Sequence, residues 1–127
     1  MSDDLYRELI LDHYRHPSNF GHLKDATGKY RDSNSNCGDV IQMEVRVKDG
    51  KIDDVMFTGV GCAVCIASAS LLTENVKGKT VERVLEMGEP DVLGLLGLKS
   101  ITPERGKCAM LPLKVLKMSL LQGQKQA

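Results

Sequence analysis

The chain has 127 residues, with 17 Lys and Arg balanced by 17 Asp and Glu, and is 42% apolar and 27% charged. That is the composition of one globular domain, residues 1–127, long enough to bury about two thirds of its unfolded surface. Zero net charge removes the basic footprint of non-specific nucleic-acid binding, and a chain with no Trp, three Tyr and two Phe offers no stacking platform. No apolar run approaches the ~20 residues of a membrane span, and the acidic amphipathic start MSDDLYREL is unlike a signal peptide, so the expectation is a cytoplasmic protein off the membrane.

The first element in chain order is a helix over 3–14, with Leu5, Leu9, Ile10 and His13 at helical spacing, acids at its start and Pro17 beyond its end. Residues 21–36 are rich in Gly, Asp, Ser and Asn without periodicity and read as a long mobile loop. Strict alternation follows: Ile41, Met43, Val45 and Val47 on one strand face, Gln42, Glu44 and Arg46 on the other. Asp49-Gly50 is a hairpin-turn signal, and the return strand covers 52–58. A helix over 63–77 is stopped by Gly78, and Thr80 caps a short helix carrying Val81, Val84 and Leu85. Residues 90–98 read as a short helix broken by Gly94 and Gly97. A last helix over 107–121 carries Cys108, Leu111, Val115 and Met118 on one stripe, with Pro112 in about its first turn. One helix, a hairpin, then a run of helices predicts an α+β fold, with helices mainly on one face of a small antiparallel sheet. From Lys99 onward the net charge is about +5 (Lys99, Arg105, Lys107, Lys114, Lys117 and Lys125 against Glu104). Such a segment reads either as a solvated helix face or as a docking patch for an acidic partner.

Cys37, Cys62, Cys65 and Cys108 are the four cysteines, and a reducing compartment keeps them as thiols. Their spacing matches no zinc finger or ribbon, which shows two tight pairs. Cys37 and Asp39 share strand parity with Ile41 and Met43, so both point to the core if the strand reaches them. An inward carboxylate is costly unless paired with a cation or bound to a metal; the competing reading is a surface turn residue. Cys62 follows Gly59 and Gly61 at a strand-to-helix junction, and Cys108 follows Gly106 near a helix start, both positions that favour thiolates. Together they outline a mixed site of three thiolates and one carboxylate, against the plain reading of buried small apolar residues. Cys65 lies on a stripe with Ala69, Leu72 and Val76 and reads first as packed core. A redox pair with Cys62 and an auxiliary ligand are its other readings. His13, His16 and His22 lack metalloenzyme spacing, and there is no phosphate loop, nucleophile elbow or dinucleotide fingerprint.

These residues resemble a known family. Cys37-Gly38-Asp39, Gly59-Val60-Gly61-Cys62, Ala67-Ser68-Ala69-Ser70 with Thr73-Glu74, Val76-Lys77-Gly78-Lys79 and Lys107-Cys108 are similar to the U-type iron–sulfur cluster assembly scaffolds, the IscU, SufU and NifU N-terminal family. Asp12-His13-Tyr14 with Pro17 and Asn19 is similar to that family's N-terminal signature. The resemblance implies a three-stranded antiparallel sheet, with a further strand over 28–33. It implies Cys37, Cys62 and Cys108 as metal ligands with Asp39 beside them, and persulfide sulfur taken from a cysteine desulfurase on Cys37 or Cys108. It also implies a non-enzymatic scaffold that assembles a labile iron–sulfur cluster, [2Fe-2S] first among the candidates, and transfers it to apo acceptor proteins, with Zn2+ filling the site otherwise. Oligomeric state, a homodimer included, is left open. Lys107 stands where the housekeeping branch has His and resembles the SufU branch, for which the alternative is a zinc-dependent sulfur acceptor. The insertion usual in that branch is absent, ITPERGK at 101–107 replaces a Leu-Pro-Pro-Val-Lys chaperone motif, and Cys65 replaces a Ser or small residue.

Overall fold

The alternation over 41–47 becomes the middle strand of an antiparallel sheet. A computed structural model describes residues 3–34 and 38–125, and among them the sheet has three strands in the order β1 (Gly28–Asn34), β2 (Asp39–Lys48), β3 (Lys51–Val60). Asp49 and Gly50 have φ of 55° and 74°, the paired positive values that a tight two-residue hairpin needs. The return strand does not alternate simply. Arg46 faces Asp54 while Val47 faces Ile52, so Asp53 is an extra residue in a bulge. That slip lets Ile52 and Val55, three apart, both lie fully buried.

The loop reading of 21–36 is corrected by β1. Its residues GKYRDSN carry no apolar alternation because it is an edge strand: Lys29, Arg31 and Ser33 are exposed, and Gly28 alone of the seven is buried. Pairing to β2, Gly28 opposite Val45 and Asn34 opposite Asp39, makes it a strand, and a local pattern cannot report a partner.

The helices are α1 (Asp3–Arg15), α2 (Ala63–Val76), α3 (Val81–Leu85), α4 (Glu89–Leu96) and α5 (Pro103–Lys125). α5 lies against β1 and β2, α2 against β3, and the two helices pack on each other. One core cluster therefore joins Ile41, Met43 and Phe57 of the sheet to Leu72 and Val76 of α2 and Leu113 and Leu116 of α5. α4 runs through Gly94 and ends at Gly97 (φ 75°), so Gly94 does not break it. α5 begins at Pro103, a turn earlier than expected, which puts Pro112 in its interior rather than its first turn. Proline there removes the N–H that would reach the Cys108 carbonyl.

The N-terminal segment is latched to α2. Ser70 Oγ lies 2.7 Å from His13 Nδ1 and accepts the Ser18 N–H at 2.8 Å. Asn19 donates to Thr73 Oγ1 at 3.1 Å and accepts from Lys77 Nζ at 2.7 Å, and the Ser18 hydroxyl donates to Glu74. These bonds hold the helix that begins at Cys62.

Glu44 departs from the expected polar face: it is 3% exposed, under the segment that follows α1. Its carboxylate accepts from Leu23 N at 3.0 Å and Gln42 Nε2 at 3.1 Å and lies 2.6 Å from His22 Nδ1. Burial works against the charge, but hydrogen bonds from the Leu23 amide, His22 and Gln42 prevail and hold the carboxyl below the usual glutamate range. A depressed pKa gives stability that is complete above the unfolded value and lost as pH falls through the folded one. Glu44→Gln is expected to cost about 2 kcal/mol near neutrality, with the gap to wild type closing below the ordinary glutamate range. Urea titrations across that range check it; a gap that does not change with pH removes the charge from the account.

Candidate metal centre

Three elements deliver three donors to one point. β2 begins with Asp39 after Gly38 (φ 73°), and the strand parity turns its carboxylate inward, where the residue is fully buried. Cys62 is the N-cap of α2, half-buried, with φ −70° and ψ 167°. Cys108, 1% exposed, comes from the second turn of α5, and its thiol donates to the Glu104 carbonyl at 3.7 Å. One ligand atom from each of Asp39, Cys62 and Cys108 lies within 4.8 Å of the other two. The expectation that Cys108 sits at a helix start is corrected: α5 begins five residues before it, so the helix terminus is too far away to favour its thiolate.

Asp39 spans two roles. Oδ1 accepts the Cys62 N–H at 2.9 Å, tying β2 to the cap of α2. Oδ2 is buried and has no hydrogen-bond partner among the described residues. A buried carboxylate oxygen without a donor is costly unless a cation meets it. Two sulfurs and one oxygen converging in this way suit zinc or iron. The close approach explains Gly61, where a Cβ would stand 2.6 Å from Asp39 Oδ1. The Ser68 hydroxyl donates to the Ala109 carbonyl at 2.7 Å, fixing α2 to α5 beside Cys108. The sequence assigns Ser68 no such part, although a hydroxyl residue in a helix as apolar as α2 was the available signal.

The other candidates fall as follows. Cys37 lies outside the described residues. Cys65 is fully buried in the core cluster with Ala69, Leu72 and Val76 and is not one of the converging trio. Lys107 is exposed and borders an apolar groove of about 650 Å³ between β1 and α5, lined also by Asn34, Met110, Leu111 and Met118. The basic C-terminal patch is partly spent within the fold. Lys114 Nζ lies 2.9 Å from Asp32, whose hydrogen bond raises the amine pKa and lowers that of the carboxyl, and Lys117 donates to the Met87 carbonyl. Lys99, Arg105 and Lys107 are exposed.

Comparison with known proteins shows the family. Residues 5–126 match the model of the NifU-like N terminal domain. The chain is 33% identical over 117 residues to the iron-sulfur cluster assembly scaffold protein IscU 1 of Archaeoglobus fulgidus, covering 92% of this chain and 75% of that one. It is 34% identical over 131 residues to the zinc-dependent sulfurtransferase SufU of Bacillus subtilis, covering 90% and 88%. The N-terminal part of a nitrogen-fixing NifU-like protein from Brucella abortus shares the fold, with a TM-score of 0.78 at 18% identity over 98% of each chain. Among the described residues no helix is long and apolar enough to cross a membrane.

Proposed function

The chain belongs to the NifU-like N-terminal domain family, and on that premise we propose that it is a scaffold on which iron and sulfur are built into a labile cluster, [2Fe-2S], for delivery to apo acceptor proteins. Cys37, Cys62 and Cys108 hold the cluster as thiolates, and Asp39 supplies the fourth donor. The observation that supports this most is the convergence of an Asp39 carboxylate oxygen with the sulfurs of Cys62 and Cys108, on a carboxylate whose buried Oδ2 has no hydrogen-bond partner among the described residues. The cluster is cargo, and a carboxylate is a harder, more exchangeable donor toward iron than a thiolate, which suits a site that must release what it makes.

Sulfur comes from a cysteine desulfurase. An acceptor thiolate attacks the outer sulfur of the donor's persulfide; the new S–S bond forms as the donor's breaks, and the donor leaves as a thiolate. Cys37 or Cys108 is the acceptor, and Cys108, 1% exposed, must be uncovered to serve. The exposed cations Lys99, Arg105 and Lys107 aid docking, an attraction that salt weakens.

The second reading is a zinc-dependent sulfur acceptor that relays persulfide without building a cluster. Three thiolates and a carboxylate make a closed tetrahedral zinc site, and Lys107 beside Cys108 fits that branch. Anaerobic incubation with iron, cysteine, a desulfurase and a thiol reductant separates the two. Growth of visible absorption supports the scaffold, whereas retained zinc and no chromophore, with sulfur added to a cysteine when the reductant is left out, supports the relay. Cys37→Ser, Cys62→Ser and Cys108→Ser are each expected to lose most bound metal, with Cys65→Ser keeping it. Elemental analysis showing an equal loss for Cys65→Ser overturns the ligand set, and mass spectrometry showing no added sulfur on any cysteine after incubation with desulfurase and cysteine, without a thiol reductant, overturns both readings.

A further inference from the structure

Cys65 is the cysteine that the proposed ligand set does not use, yet its position is paired with one that the set does. Cys62 is the N-cap of α2, and with Ala63 as the first helical residue Cys65 is the third. Each of these two positions lies within side-chain reach of the other's backbone, as the reciprocal bonds of a capping box show. Residues three apart also share a helix face, and the same separation is used by Cys-X-X-Cys disulfides. The cap position is held from outside: the Cys62 N–H is bound to Asp39 Oδ1, and the Cys62 side chain makes no capping hydrogen bond. Rotation about its Cα–Cβ bond can therefore redirect the sulfur without undoing the helix start.

We propose that Cys62 and Cys65 form an oxidant-responsive disulfide that competes with metal for Cys62. Half-buried Cys62 is the sulfur a hydroperoxide can reach, since Cys65 is fully buried. The Cys62 thiol is oxidised to a sulfenic acid and the hydroperoxide is reduced to an alcohol. The Cys65 thiol then attacks the sulfenic sulfur from within the fold, the S–S bond forms, and water leaves. Two thiols lose two electrons in all, and the hydroperoxide takes them. A disulfide of about 2.05 Å places the Cys62 sulfur on Cys65. It then no longer meets Asp39 and Cys108, so the bridge and a bound metal exclude each other. Cys65 also spares Cys62 from sulfinic acid, which thiols do not reverse.

The bridge itself does not depend on which metal the site carries; its coupling to metal release rests on Cys62 being a ligand. The sequence supplies a clean assay. Cleavage after Lys51 and Lys77 leaves Cys62 and Cys65 together on peptide 52–77, with Cys37 and Cys108 on separate peptides. The full chain, metal-free and zinc-loaded, is treated with hydrogen peroxide, alkylated, digested with trypsin and read by mass spectrometry, while released zinc is followed with a chromogenic chelator. The expected result is an unalkylated 52–77 lighter by two hydrogens, loss of most zinc in step with it, and recovery of zinc binding after dithiothreitol. Cys65→Ser and Cys65→Ala are expected to bind zinc but, after peroxide, to carry sulfinic acid on Cys62 and fail to recover. Peptide 52–77 fully alkylated, or joined to the peptide of Cys37 or Cys108, overturns the proposal. A bridged peptide with all zinc retained keeps the disulfide and removes Cys62 from the ligand set.

Discussion

Asp39→Asn is expected to keep an assembled cluster roughly tenfold longer under an anaerobic chelator challenge, the effect of about 1.4 kcal/mol in the release barrier. The amide keeps an oxygen to accept the Cys62 N–H, now bound at 2.9 Å, so the cap of α2 stays in place. What changes is the charge of the carboxylate, whose other oxygen is buried and has no hydrogen-bond partner among the described residues. Removing its charge relieves repulsion among anionic donors crowded within 4.8 Å. It also replaces the donor most readily exchanged on iron. Asp39→Ala removes the hydrogen bond as well and is expected to share the slower release with some loss of fold stability. Decay of visible absorbance after chelator addition measures both, and transfer to an apo acceptor slows in parallel. Faster bleaching of Asp39→Asn than of wild type makes Asp39 an essential holding ligand and ends its role in release.

Gly28→Ala is expected to lower stability by about 3 kcal/mol, the upper range for overpacking, because strand and helix touch there backbone to backbone. A Cβ at Gly28 would stand 2.0 Å from the Ser119 carbonyl oxygen and 3.1 Å from the Gly123 nitrogen. Neither side yields easily. β1 is registered on β2 through Gly28 opposite Val45, the Thr27 N–H is bound to the Val45 carbonyl at 2.7 Å, and Leu116 and Leu120 of α5 are fully buried. The neighbouring exposed Lys29→Ala is the control, expected within about 0.5 kcal/mol of wild type. Urea unfolding that finds Gly28→Ala as stable as Lys29→Ala places the helix elsewhere. Because α5 also carries Cys108, the same variant is expected to weaken metal binding.

Strand β2 was legible because apolar and polar residues alternate along it, and that parity also carried the inward placement of Asp39. The hairpin was legible from Asp49-Gly50, and α3 from Thr80, whose hydroxyl accepts the Arg83 N–H at 3.2 Å. Strand β1 was legible only through the family resemblance, since an exposed edge strand has no period of its own. The start of α5 was read late because Pro103, Glu104, Arg105 and Gly106 carry no apolar stripe, and their half-buried or exposed positions explain why.

The α+β class, the central hairpin, the family, Cys62 at a strand-to-helix junction and a carboxylate two residues after the first cysteine were all readable along the chain. Those are local facts, written in alternation, turn chemistry and spacing. Packing alone brings Asp39, Cys62 and Cys108 together, from a strand, a helix cap and a second helical turn. It also decided that Glu44 is covered, that Lys114 and Lys117 are engaged within the fold, and that Gly28 and Gly61 are small because another chain segment fills the space. Each of these depends on contacts between residues far apart in sequence, and the physical terms that set them, burial, desolvation and steric approach, have no value until the elements are packed.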